Sequence, residues 1–147
     1  MKVSELMKTH VIYVTLEDTL RDAVDKMDLY QVSGLPVVDE DRRLVGVVTE
    51  HDVIVRLLPI CGSGTDAGIA KFSQDQITSR IKNIQETSVK EAMTSPAISI
   101  DEEEDALEAV RLLCEKKIKR LPVTHIGKLT GVISRIDICQ AVLEGHL

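Results

Sequence analysis

Two stretches place a hydroxyl residue three positions before an aspartate: Gly46-Val47-Val48-Thr49-Glu50-His51-Asp52 and Gly131-Val132-Ile133-Ser134-Arg135-Ile136-Asp137. An ionised aspartate has two acceptor oxygens, which suits a pair of adjacent hydroxyl donors, and its hydrogen bonds are charge-assisted. A hydroxyl beside the free N–H groups of a helix start suits anionic oxygens. The same spacing describes a capping box, in which the aspartate only closes a helix N-terminus. Both readings stand on these residues alone.

The other reactive side chains do not assemble into a site. His10, His51, His125 and His146 share no ligand spacing and no nucleophile–base arrangement, so neither a metal nor a catalytic residue is expected. Cys61, Cys114 and Cys139 are odd in number and lack a CxxC pair, which reads as reduced thiols. The acidic run from Asp101 to Asp105 reads as a solvated helix start. Gly62-x-Gly64-x-x-Ala67, with Glu86 about twenty residues on, matches a relaxed dinucleotide fingerprint. That fingerprint needs a preceding strand, whereas the pattern here gives a helix closed by Pro59.

The chain that positions these residues has 147 of them, 44% hydrophobic and 29% charged, which fits a globular protein with a core of its own. No apolar run reaches membrane-span length, and Met1-Lys2-Val3-Ser4-Glu5 lacks a signal peptide's build, so a cytoplasmic location is expected. A net charge of -6, with Tyr13, Tyr30 and Phe72 the only aromatics, argues against nucleic acid.

Self-comparison shows an internal repeat. A slide of 86 positions lays Val3-x-Glu5-x-Met7 on Val89-x-Glu91-x-Met93, Ile12 on Ile98, and Leu35-Pro36-Val37 on Leu121-Pro122-Val123. A slide of 85 lays Leu44-x-Gly46-Val47 on Leu129-x-Gly131-Val132, and Asp52 on Asp137. The expected organisation is a first copy over 1–58, a linker over 59–87 and a second copy over 88–147. Within each copy a short strand is expected at Ile12 or Ile98. A helix follows, with its inner face on Leu20, Ala23, Val24 and Met27 or on Ala106, Ala109, Val110 and Leu113. Thr19 with Asp22, and Asp105 with Glu108, read as capping boxes. Strands at Leu35–Val38 and Leu44–Thr49, joined by a turn over Asp39 to Arg43, match Leu121–Thr124 and Leu129–Ser134, joined by Gly127-Lys128. Pro36 and Pro122 are placed at strand starts. A second helix uses Val53, Ile54, Leu57 and Leu58, or Ile138, Ala141 and Val142. The linker reads as a loop from Pro59 to Gly68 and an amphipathic helix over 69–86, with Ile77, Ile81 and Ile84 on one face. The fold class is α/β, or α+β, built as β-α-β-β-α twice.

The series Met-x-x-x-x-x-x-V/I, h-x-L-P-V-V and L-x-G-V-V-T-x-x-D resembles the CBS domain, and the tandem resembles the CBS pair, or Bateman module, found as a stand-alone protein. The resemblance covers about residues 2–58 and 88–145. It implies a pseudo-twofold pair with two clefts for adenosine-containing ligands such as AMP, ADP, ATP, NAD or S-adenosylmethionine. The ribose would lie on the G-h-x-[ST]-x-x-[DN] motif, matched in both copies. One set of ligand-binding residues would combine Thr49 and Asp52 with Ser95, Pro96, Ala97, Ile118, Lys119 and Arg120. The other would combine Ser134 and Asp137 with Thr9, His10, Val11, Val32, Ser33 and Gly34. Lys119-Arg120 stands where copy one has Ser33-Gly34, so the first set is the better polyphosphate site, with Arg120 as the fork-like donor and Arg135 as a second candidate.

The resemblance implies a non-catalytic regulatory sensor with an adenine nucleotide as its ligand and no other cofactor. It would act on a partner protein, and its exposed helices would pair in a homodimer. A ligand-free interaction module is the alternative, and a nucleotide-hydrolysing or NAD-using enzyme a weaker one.

Overall fold

In a computed structural model that describes residues 1–61 and 72–147, the chain begins with α1 (Val3–Leu6), β1 (Val14–Thr15), α2 (Leu20–Tyr30), β2 (Gly34–Val38) and β3 (Leu44–Thr49). It continues through α3 (Glu50–Ile54), a 3-10 turn (Val55–Leu57), α4 (Leu58–Cys61), α5 (Gln74–Glu86) and α6 (Val89–Ala92). The remaining elements are β4 (Ile100–Asp101), α7 (Ala106–Glu115), β5 (Arg120–His125), β6 (Lys128–Ser134) and α8 (Arg135–Leu143). The fold is mixed α+β, with two three-stranded sheets ordered β1-β2-β3 and β4-β5-β6.

Local chemistry accounts for most of these boundaries. Thr19 caps α2, its side chain accepting from the Asp22 N–H while Asp22 reaches back to the Thr19 N–H at 2.9 Å. These bonds favour the charged carboxylate and hold Asp22 below the usual carboxylate range. Leu20, Ala23 and Met27 are buried as the spacing requires, but Val24 is 40% exposed and lies off the inner face. Asp105 caps α7 alone, accepting from the Leu107 N–H. Glu108 takes no part in a box, because it pairs with Arg111 one turn on.

Several sequence expectations shift by a residue or two. The first strand of each copy falls at Val14–Thr15 and Ile100–Asp101, two positions after Ile12 and Ile98. The second hairpin turns at Ile126-Gly127, with φ of 51° and 78°, and Lys128 already pairs with His125. Positive φ at both central residues makes this the turn that matches strand twist. Pro36 and Pro122 are each the third residue of their strand. Pro122 is tolerated because β4 pairs in parallel only with Val123 and Thr124, leaving Pro122 beyond its reach. Pro59 does not end the second helix; it sits in the first turn of α4, where a missing N–H costs little. Residues 59–61 of the expected loop are therefore helical, and the rest of it over 62–68, with the Gly62-x-Gly64-x-x-Ala67 match, lies outside the described residues. The linker helix starts at Gln74, capped by Ser73, and contacts α2.

The chain divides into two compact units whose limits cut across the repeats. Unit 1 comprises residues 1–12, 38–45 and 96–147; unit 2 comprises 13–37 and 46–95. The start of copy one thus belongs with the sheet of copy two, and the start of copy two with the sheet of copy one.

In unit 1, Val3 is fully buried with Ile100, Ala109, Leu113, Leu121, Val123 and Ile133, and Leu6 and Met7 pack on this cluster. Burying one such side chain contributes about 1.5–3 kcal/mol. The Val3 N–H donates to the Glu104 carbonyl (2.9 Å), and the Ala106 N–H to the Met1 carbonyl (2.8 Å). The turn over 38–45 joins the same unit, with the Leu44 N–H donating to the Gly127 carbonyl and the Leu129 N–H to the Arg42 carbonyl. In unit 2, Val14, Leu20, Ala23, Val48 and Val89 are buried. There α6 contacts α2 and β1, and the Val89 N–H donates to the Asp18 carbonyl at 2.7 Å.

Candidate functional site

Each unit holds one copy of the hydroxyl–aspartate motif at the junction of a strand and a helix. In unit 2, β3 ends at Thr49, the N-cap of α3, and one oxygen of Asp52, Oδ2, accepts from the Thr49 N–H (2.7 Å) and the Thr49 hydroxyl (3.3 Å). In unit 1, β6 ends at Ser134, and Asp137 Oδ2 accepts from the Ser134 N–H (2.8 Å) and the Ser134 hydroxyl (2.6 Å). The capping role weighed from the sequence is therefore real in both copies. It occupies one carboxylate oxygen and leaves Oδ1 outside these bonds.

The glycine of the motif is fixed by packing. A Cβ on Gly131 would lie 2.6 Å from Met7 Sδ and 2.9 Å from the Lys8 carbonyl oxygen; one on Gly46 would lie 2.7 Å from Met93 Sδ and 2.8 Å from the Thr94 carbonyl oxygen. Lys8 and Val132 exchange two backbone hydrogen bonds of 2.9 Å, and Val47 and Thr94 make the equivalent pair at 3.0 and 2.9 Å. Only a residue without a side chain lets the incoming segment reach the strand this closely.

The other expected residues fall as follows. In unit 2 the Glu50 N–H donates to the Ser33 carbonyl (3.0 Å), and Gly34 lies against the Thr49 methyl, so Ser33 and Gly34 neighbour Thr49; Val32 is half-buried beside them. Ser95 is exposed and directly follows Thr94. In unit 1, Thr9 and His10 are exposed and Val11 half-buried, in the stretch after Lys8. The Arg135 N–H donates to the Lys119 carbonyl (3.1 Å), which places Lys119 and Ile118 beside the start of α8. Arg135 directs Nε to the Ile118 carbonyl (2.8 Å) and Nη2 to the Leu113 carbonyl (3.3 Å), so two of its donors are engaged at and just beyond the C-terminal end of α7. Arg120 is exposed at the first residue of β5, and Pro96 and Ala97 belong to unit 1.

One residue that contacts the motif was missing from the sequence expectations. Lys8 Nζ lies 3.2 Å from Asp137 Oδ1, with side-chain exposures of 63% and 5%. A signal was present: the slide of 86 lays Lys8 on Thr94, a change of charge at a position whose neighbours Met7 and Met93 agree. The acidic run is engaged within unit 1, Glu103 with Lys2 and Glu102 with His125, and no cluster able to hold a metal ion occurs among the described residues. Nor is any helix among them long and apolar enough to cross a membrane.

The family profile of the CBS domain matches residues 3–59 and 89–144. The chain belongs to the CBS-domain family and carries two CBS domains in tandem. It is 32% identical over 138 residues to the uncharacterized protein YlbB of Bacillus subtilis, covering 93% of this chain and 79% of that one. It is 30% identical over 140 residues to the inosine-5'-monophosphate dehydrogenase of Methanocaldococcus jannaschii, covering 95% of this chain but only 23% of the enzyme. Among solved structures it is similar to CBSX2 in complex with AMP, with a TM-score of 0.74 and 26% identity, covering 99% of this chain and 98% of that one; CBSX2 is a CBS-pair protein of Arabidopsis thaliana.

Proposed function

We propose that this CBS pair is a non-catalytic sensor of adenosine-containing nucleotides, in which Asp52 and Asp137 accept the ribose hydroxyls and Thr49 and Ser134 mark where phosphate oxygens meet a helix start. The observation that carries the reading is the division of labour in each carboxylate: Oδ2 holds the helix start, and Oδ1 takes no part in those bonds, facing among the described residues only the exposed Lys8 ammonium in Asp137. The AMP complex of CBSX2 supports adenosine as the recognised moiety. The remaining residues of the two sets, with Arg120 as phosphate donor in the first, complete the proposal.

Ligand binding would act on a partner protein by favouring the conformation in which these contacts are made, a shift driven by differential affinity. Homodimeric assembly in the cytoplasm belongs to the same reading. Ile54 and Leu58, and Ile136 and Val142 on α8, are among the exposed apolar residues of the described chain.

The test is calorimetric titration of AMP against 2'-deoxy-AMP. Removing one hydroxyl leaves an acceptor unmatched at a cost of about 1.5–3 kcal/mol, or roughly 10- to 150-fold in affinity. Alanine at the occupied aspartate should weaken AMP and erase the difference between the two forms. Equal binding of both forms by the wild-type protein would mean that the aspartates serve only as caps.

A further inference from the structure

Asp137 is the one charged residue that is buried among the described residues, and Lys8 is its counter-ion. The pairing follows from the exchanged N-terminal segment. Gly131 admits the segment, the two hydrogen bonds with Val132 fix the Lys8 backbone two residues before Ser134, and a four-carbon stem carries the ammonium to Asp137 Oδ1. In unit 2 the same backbone place against Val47 is held by Thr94, and among the described residues no cation pairs with Asp52. The two copies thus present one ribose acceptor neutralised by an ammonium and one that is not.

We propose that Lys8 makes the Asp137 site selective for anionic adenosine ligands. The inference rests on the nucleotide reading above and concerns the charge of the ligand that this one site accepts. The ammonium compensates the buried carboxylate, as a buried charge requires. A ribose hydroxyl that takes Oδ1 competes with it. A neutral nucleoside displaces a charge-assisted contact and offers the ammonium nothing in return. A nucleotide carries a 5'-phosphate on the same sugar and so offers the ammonium, on its flexible four-carbon stem, a new anionic partner. The Lys8 side chain is largely exposed, so it is free to change partners without disturbing the core. Lysine suits such a transfer because its charge is a compact point on a flexible chain, with no fixed fork to realign.

The experiment compares AMP with adenosine by calorimetry in an Asp52→Asn background, where the asparagine oxygen can still accept from the Thr49 N–H and the ionised acceptor of the first site is gone. This protein should bind AMP about 10-fold or more tightly than adenosine, the scale of one charge-assisted contact. Adding Lys8→Thr, the residue that the other copy carries at this place, should bring the two affinities within about 3-fold by weakening AMP and not adenosine. Lys8→Gln, which keeps a donor for Asp137 without the charge, should do the same, and Lys8→Arg should preserve the preference. A melting curve of each variant verifies folding. Equal weakening of both ligands, or an unchanged ratio, would reduce Lys8 to a structural counter-ion and overturn the proposal alone. If the Asp52→Asn protein binds neither ligand, the nucleotide reading of the Asp137 site fails and takes the proposal with it.

Discussion

Substituting Gly131 by alanine tests the exchanged N-terminal segment without any ligand. The new methyl carbon would sit 2.6 Å from Met7 Sδ and 2.9 Å from the Lys8 carbonyl oxygen, both well inside ordinary contact distance. The sulfur ends a flexible side chain and can move aside. The carbonyl cannot move without lengthening the pair of 2.9 Å hydrogen bonds between Lys8 and Val132. The cost should therefore reach the upper part of the usual overpacking range of about 1–3 kcal/mol. A chain of this size gains roughly 0.3 kcal/mol per kelvin in unfolding entropy, so the melting temperature should fall by about 6–10 °C. Differential scanning calorimetry reads this directly. Met7→Ala in the same chain should recover only part of the loss, because the carbonyl contact remains, and the shortfall in a double-mutant cycle measures it. A Gly131→Ala protein that melts within about 1 °C of wild type would show that residues 7 and 8 do not lie against β6.

Ile126 holds a left-handed φ of 51° while 74% exposed, so Ile126→Asn removes strain and little buried surface; it should raise stability by about 1 kcal/mol and the melting temperature by about 3 °C. Asp22 has a folded-state pKa lowered chiefly by the Thr19 N–H, so its contribution is present above the unfolded carboxylate pKa of about 4 and is lost as pH falls through the folded value. Melting curves between pH 7 and pH 2 should accordingly converge for wild type and Asp22→Asn at the acid end. Val3→Ala should cost about 1–3 kcal/mol in chemical denaturation, because Val3 is fully buried against Leu121 and Ile133; an effect below about 0.5 kcal/mol would remove it from that core.

What the sequence disclosed follows the range over which each signal acts. The inner face of α2 needs only Leu20, Ala23 and Met27 at helical spacing, and Thr19 with Asp22 announces its start, so all of it lies within one short window. The limits of β3 were legible for the same reason. The two-residue strands β1 and β4 contain too few positions to show an alternation, and their placement slipped toward Ile12 and Ile98. The four-residue helices α1 and α6 complete barely one turn, so no periodicity marks them. The repeat exposed the paired methionines and glycines as a pattern, yet their partnership, Met7 on Gly131 and Met93 on Gly46, joins positions far apart in sequence. The Lys8–Asp137 pair has the same character: each residue is visible, but the distance between them is a property of the fold.

The exchange of starting segments also sets an order of events during synthesis. Residues 13–95 hold every part of unit 2, so that unit can close as soon as Val89 and Met93 have emerged behind β3. Val3, made before either unit is complete, must wait for Leu121 and Ile133 before it has a core to enter. At about 5–20 residues per second that interval is roughly 2–8 s after unit 2 is complete. Throughout it Val3, Leu6 and Met7 lack their eventual neighbours, and a nascent-chain chaperone that covers short apolar segments would find its target in that stretch. A ribosome-bound chain whose residues have emerged as far as 95 should therefore carry a closed unit 2 while residues 1–12 remain open to protease.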